Sequence, residues 1–75
     1  MKLDLHGMTI HSAWNVFTSR TTDAYYKGHK TIVVVTGQGA IMREFPSWAS
    51  THPYVISCSN TQNNPGSFKI SLKKG

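Results

Sequence analysis

Two residues near the start of the chain, Asp4 and His6, have the types and spacing for proton transfer. Residues two apart on an extended strand share a face with Cα atoms roughly 6.5 to 7 Å apart, so both side chains reach one reacting group beyond the strand end. An imidazole gives or takes a proton near neutrality, and a carboxylate beside it fixes its tautomer or strengthens its basicity. Phosphoryl transfer is chemistry that suits such a pair. The plainer alternative has Asp4 accepting backbone amides of a neighbouring loop and His6 in a structural role. On spacing alone this alternative is favoured.

A second string, Thr36-Gly37-Gln38-Gly39, has a different use. Glycine adopts backbone conformations closed to other residues and lets a phosphate approach the amides that open the following helix. A tight strand-to-helix turn would need the same glycines. Arg43 stands about one helical turn beyond this loop, placed either for a phosphate contact or on a solvated helix face. Lys69 is the other cation expected near the site. Lys2, Lys27, Lys30, Lys73 and Lys74 are expected toward the far end of the strands, and His11, His29 and His52 read as surface groups.

The elements that must position these strings follow from hydrophobic periodicity. Lys2 to His6 alternates with period two, Leu3 and Leu5 on one face and Asp4 and His6 on the other, as a half-buried strand does. Thr9 can cap a helix carrying Ile10, Ala13, Trp14, Phe17, Thr21, Ala24 and Tyr25 at spacings of three and four, with Gly28 as its stop. Thr18, Thr21 and Thr22 are poor helix formers, so this helix should depend on packing Trp14 and Phe17 against the sheet. Thr31 to Thr36 is apolar and β-branched throughout, which predicts a central strand.

From Ala40, the residues Ile41, Phe45, Trp48 and Ala49 repeat at helical spacing, with Pro46 expected to kink the helix or restart it and Pro53 to end it. Tyr54 to Ser59 predicts a third strand. Ser67 to Lys73 predicts a fourth, with Phe68, Ile70 and Leu72 inward, after a turn centred on Pro65 and Gly66. All 75 residues are expected to form one domain of order βαβαββ, a four-stranded mixed sheet with two helices on one face. The first two strands, joined by a right-handed crossover, would open both strings onto the same edge of the sheet, where open α/β sheets bind ligands.

Composition narrows the function classes. Hydrophobic residues make up 39% of the chain, enough for a compact core without staples. A lone cysteine, Cys58, excludes an intrachain disulfide and is expected to act as a small buried hydrophobe; no Cys/His spacing matches a zinc site, and no residue is assigned to a metal. The longest apolar run, Ile32-Val33-Val34-Val35, is far short of the roughly 20 residues of a membrane span, and no signal peptide is visible. A reducing cytoplasm is expected. The net charge of +5 favours polyanionic partners only modestly.

Taken in order, Leu3-Asp4-Leu5-His6-Gly7, a helix ending in Gly28-His29-Lys30, the Thr36-Gly37-Gln38-Gly39 loop, and Met42-Arg43 ahead of Pro46-Ser47-Trp48 resemble the Smr (small MutS-related) domain over essentially the whole chain. The resemblance implies a two-layer α/β sandwich similar to the C-terminal domain of bacterial translation initiation factor three. It also implies nucleic-acid binding and, in several members, endonuclease cleavage of DNA or RNA. Carried over to this chain, it points to Asp4 and His6 as the catalytic pair and to Thr36, Gly37 and Gly39 at the binding edge, where Gln38, Arg43 and Lys69 are also expected to meet the nucleic acid. Many relatives have histidine at the position of Thr36 and a basic residue at that of Gln38; these departures remove a second proton-transfer group and a phosphate-neutralising charge.

Three functions are therefore weighed. The first is an endonuclease, in which His6 and Asp4 would activate a ribose 2′-hydroxyl without metal, or in which Asp4 would help hold a divalent cation such as magnesium if DNA is cut. The second is a non-catalytic module for structured or branched nucleic acid, favoured by Thr36 and Gln38. The third and least favoured is a protein adaptor using the open sheet face. A monomer is the default expectation. The chain starts almost at the first string and stops after the last strand, so a stand-alone minimal form suited to a bacterial or phage genome is expected.

Overall fold

The computed structural model describes residues 1–61 and 64–74. Its elements are β1 (Lys2–Asp4), α1 (Ile10–Tyr26), β2 (Thr31–Val35), α2 (Ala40–Thr51), β3 (Val55–Thr61) and β4 (Asn64–Leu72). The sheet order is β1-β2-β4-β3, with β1 and β2 parallel and the other neighbours antiparallel. This is the mixed βαβαββ sheet expected from the sequence. No helix among the described residues is long and apolar enough to cross a membrane.

The core lies between one face of the sheet and both helices. Leu3, Leu5, Ile32, Val34, Phe68, Ile70 and Leu72 rise from the sheet to meet Ala13, Phe17, Ala24, Ile41, Phe45, Trp48 and Ala49. In β2 the alternation is visible directly: Ile32 and Val34 are buried, whereas Thr31, Val33 and Val35 are half-buried on the helix-free face.

Helix α1 begins and ends as its sequence dictates. The Thr9 hydroxyl accepts the Ser12 N–H at 3.2 Å. At the other end Gly28, at φ +85°, donates to Tyr25 C=O at 3.1 Å, and His29 N–H reaches Ala24 C=O at 3.0 Å. These two bonds make a Schellman motif, which requires the left-handed conformation that glycine adopts freely.

The inward stripe is Ala13, Phe17, Thr21 and Ala24. Trp14, expected to pack on the sheet, is instead 45% exposed, and Ile10 is 41% exposed. One residue along a helix is about 100° around it, so the line through residue 13 that faces the sheet leaves Trp14 on the flank. The Thr21 hydroxyl is buried with no hydrogen-bond partner among the described residues. Thr21→Val, which removes that hydroxyl and keeps the branched shape, is expected to raise stability by about 1 kcal/mol in urea denaturation.

Helix α2 runs as one element through Pro46, so the helix does not restart there. Proline removes its own backbone donor and crowds the carbonyl four residues before it, while Phe45, Trp48 and Ala49 on either side are anchored in the core. The helix ends before Pro53 as expected, but His52, read as a surface group, is buried. Its Nδ1 accepts the Tyr54 N–H at 3.2 Å, and its Nε2 lies 3.4 Å from the Thr18 carbonyl. Its ring meets Phe17 edge-on at 5.6 Å. His52 therefore joins the end of α2 to α1.

The turn expected around Pro65 and Gly66 is also corrected. Residues 64 to 66 belong to β4, which begins earlier than the sequence suggested, and Asn64 pairs with Thr61. Asn63, included in that turn, lies outside the described residues. Phe68, Ile70 and Leu72 face the core as expected. Cys58 is half-buried against the core, and burial pushes its thiol above the ordinary range.

Candidate functional site

The first string forms a strand end and a turn. After β1, Leu5 N–H still bonds Val35 C=O at 2.7 Å, and Met8 N–H closes a four-residue turn onto Leu5 C=O at 3.2 Å. His6 and Gly7 are the central residues, and Gly7 takes φ +82°, which the third position of such a turn demands of a glycine. The Asp4 carboxylate accepts the backbone N–H of His6 at 2.9 Å. That Asx-type bond pins the turn and spends one carboxylate oxygen on the histidine's backbone.

The second string is held from β4. Thr36 N–H and Gly37 N–H both donate to the Gly66 carbonyl, at 2.7 and 3.1 Å. The buried Thr36 hydroxyl lies 3.0 Å from that carbonyl and 2.9 Å from the Gly37 carbonyl. Thr36 thus serves as a latch for the loop. Gly37 stands at φ +70°, and a Cβ there would come within 2.9 Å of His6 Cδ2. The imidazole therefore lies against the loop, and the two strings meet as the parallel pairing of β1 and β2 requires.

Between them is an open cleft of about 470 Å³, lined by His6, Thr9, Thr36, Gln38, Ala40 and their neighbours. Gly39 is the N-cap of α2 at φ +136° and offers no side-chain cap, so the helix's first-turn amides face this region without an acceptor from the cap residue.

The other expected site residues are dispersed. Asp4 stands behind His6 on the helix-free face, paired with Val35 across the sheet. Arg43 is exposed in the first turn of α2, its N–H bonded to Gly39 C=O at 3.2 Å. Lys69 is exposed on β4 between the inward-facing Phe68 and Ile70, hence on the helix-free face. Lys2, expected at the far end, shares its cross-strand row, because Lys2 and Lys69 both pair with Val33. The two lysines are therefore equally far along the sheet from the cleft. Among the described residues no three His, Cys, Asp or Glu side chains gather as metal ligands.

Gly66 is the residue that sequence reading missed. Its neighbour Pro65 suggested a turn, yet continuing the antiparallel register from Val35 opposite Ser67 puts Gly66 opposite Thr36. A Cβ at Gly66 would lie 2.8 Å from the Gly37 carbonyl carbon and 2.9 Å from its oxygen, a backbone clash that no rotamer relieves. Gly66→Ala is expected to cost about 1–3 kcal/mol. It should also shift the amide resonances of Thr36 and Gly37, which a two-dimensional NMR spectrum would read.

Comparison with known families decides the relationship, since the Smr domain profile matches residues 3–71. The chain belongs to the Smr domain family. Smr domains bind nucleic acids, and some members act as endonucleases. Among solved structures, this Smr domain is similar to the Smr domain of Thermus thermophilus MutS2, with a TM-score of 0.89 at 18% identity, covering 96% of each chain. At that identity the likeness speaks for the fold. A comparison with curated proteins finds no match.

Proposed function

We propose that this Smr domain is a nucleic-acid endonuclease whose cleft holds a backbone phosphate between His6 and the start of α2. The observation that carries the reading is the imidazole lying against Gly37, at a cleft bordered by the uncapped N-terminus of α2. Backbone donors at a helix start bind anions, and an adjacent imidazole moves a proton. With RNA, His6 takes the proton of the ribose 2′-hydroxyl as that oxygen attacks phosphorus. The 5′-oxygen leaves and is protonated by water, giving a 2′,3′-cyclic phosphate. Asp4 is a positioning residue, since its carboxylate holds the His6 backbone. Arg43 adds charge beside the loop. A divalent cation would find Asp4 at this end of β1 with one carboxylate oxygen committed to an amide, and no three His, Cys, Asp or Glu side chains gather among the described residues, so the site does not fit one.

The test incubates the protein with end-labelled structured RNA and with supercoiled DNA, in magnesium or chelator, beside an Asp4→Ala, His6→Ala double variant. Cleavage by the wild type that the double variant lacks is the expected result, and equal cleavage by both overturns the mechanism.

A second reading, a binding module without catalysis, is favoured by two observations. The Asp4 bond goes to the His6 backbone, and the Thr36 hydroxyl is committed to backbone carbonyls. It predicts salt-sensitive binding with no cut product.

A further inference from the structure

At the opposite end of the sheet from the cleft, a second concavity of about 710 Å³ opens beside the end of α1 and the start of β2. Tyr25 and Tyr26 form one wall, and Lys30, Lys73 and Lys74 stand around it. We propose that this concavity is a second nucleic-acid site, which takes an unpaired base on Tyr26 and the adjoining phosphates on the three lysines.

The aromatic wall is built rather than incidental. Tyr25 and Tyr54 stack with ring centroids 3.9 Å apart and planes 2° from parallel. Tyr26 meets both rings edge-on, at 5.3 and 5.9 Å, and its hydroxyl lies 3.2 Å from that of Tyr54. The hydrogen bond with Tyr26 raises the Tyr54 pKa above its ordinary value. Tyr26 is thereby held at a fixed angle while remaining 72% exposed. A large aromatic ring presented to solvent in one orientation is what a stacking platform needs, because binding then costs little side-chain entropy.

The segments that carry the charges are held by backbone bonds. Leu72 N–H donates to Lys30 C=O at 2.8 Å, and Lys73 N–H donates to Tyr54 C=O at 2.8 Å. These bonds tie the lysine-bearing segments to the tyrosine wall. Asp23, the acid nearest in sequence, is engaged by Lys27 at 3.1 Å. Cations without a carboxylate partner among the described residues, beside an exposed aromatic, are the two components of a groove for single strands. Duplex DNA, with its bases stacked internally, offers the lysines phosphates but gives Tyr26 nothing to stack on.

The site also extends what the cleft could do alone. β2 runs between the two ends, a span of roughly 15 Å for its five residues. Lys2 and Lys69 lie between them on the helix-free face, flanking Val33. A strand anchored at Tyr26 can therefore cross that face toward His6. This extends the reading of the chain as a nucleic-acid binder and rests on it.

The experiment titrates isotope-labelled protein with oligothymidine and, separately, oligouridine of about eight nucleotides at low salt, following backbone amides. The expected result is a shift of His29, Lys30, Thr31 and Lys73 with either probe. Binding should be about tenfold weaker in Tyr26→Ala and in the Lys30→Ala, Lys73→Ala double variant. These residues are exposed, and an unchanged melting temperature would show that the variants remain folded. Shifts confined to residues 36 to 40, with Tyr26→Ala binding as tightly as wild type, would overturn the second site and leave the cleft reading standing. No shift at either end would likewise overturn the second site, and the cleavage test decides the cleft.

Discussion

Phe17→Ala is expected to cost the domain about 3–5 kcal/mol, much of the stability that a chain of this size has. Phe17 is fully buried at the centre of the inward stripe of α1. Its ring meets Phe45 edge-on at 4.9 Å, Trp48 at 6.4 Å and His52 at 5.6 Å. Removing it leaves a void where both helices and the chain after α2 converge, and little around it can collapse, because Phe45 is already committed to Phe68 at 4.9 Å. Trp14→Ala, by contrast, should cost only about 1–2 kcal/mol, since the indole lies on the flank and 45% exposed. Urea denaturation of the two variants checks both. An equal loss at the two positions would overturn this assignment of the core.

The contrast between Phe17 and Trp14 shows where the sequence was readable. Period and capping are local properties, so the limits of α1, its Thr9 cap and its Gly28 stop could be read directly. The rotation of α1 about its axis is a tertiary property. Ala13, Phe17, Thr21 and Ala24 define the buried line, and size alone favoured Trp14 over a neighbouring alanine. Ala13 and Ala24 are fully buried on that line although they are small. His52 was misjudged for a related reason: it was read by its local chemistry, whereas Phe17 decides its surroundings.

The candidate site divides the same way. That both strings open onto one edge follows from parallel pairing, and the glycines at 37 and 39 do take positive φ. Less visible was which partner each polar group finds. Asp4 and His6 were placed on one face of a strand, yet β1 ends at Asp4 and His6 enters a turn. The carboxylate then meets the nearest donor, which is a backbone amide. Thr36 likewise has a carbonyl from β4 beside it only because the register places Gly66 there. Such contacts depend on strands distant in sequence, and a two-residue spacing carries no information about them.

His6→Ala should lower cleavage by about 100- to 10,000-fold while leaving oligonucleotide affinity near wild type, because the imidazole is asked to move a proton rather than to supply binding energy. His6 is exposed and its structural bond is made by its backbone, so the variant should fold with stability within about 0.5 kcal/mol of wild type. Asp4 then separates two versions of the mechanism. If its charge acted on the imidazole, Asp4→Asn and Asp4→Ala would be equally damaging. The structure gives Asp4 a different task, accepting the His6 N–H, and asparagine's carbonyl oxygen can accept that bond. Asp4→Asn should therefore stay within about threefold of wild type, whereas Asp4→Ala, which frees the turn, should lose about tenfold. Single-turnover cleavage measured beside affinity distinguishes these outcomes. An Asp4→Asn protein as inactive as His6→Ala would return the carboxylate to the chemistry, and a His6→Ala protein that cuts at the wild-type rate would remove the imidazole from it.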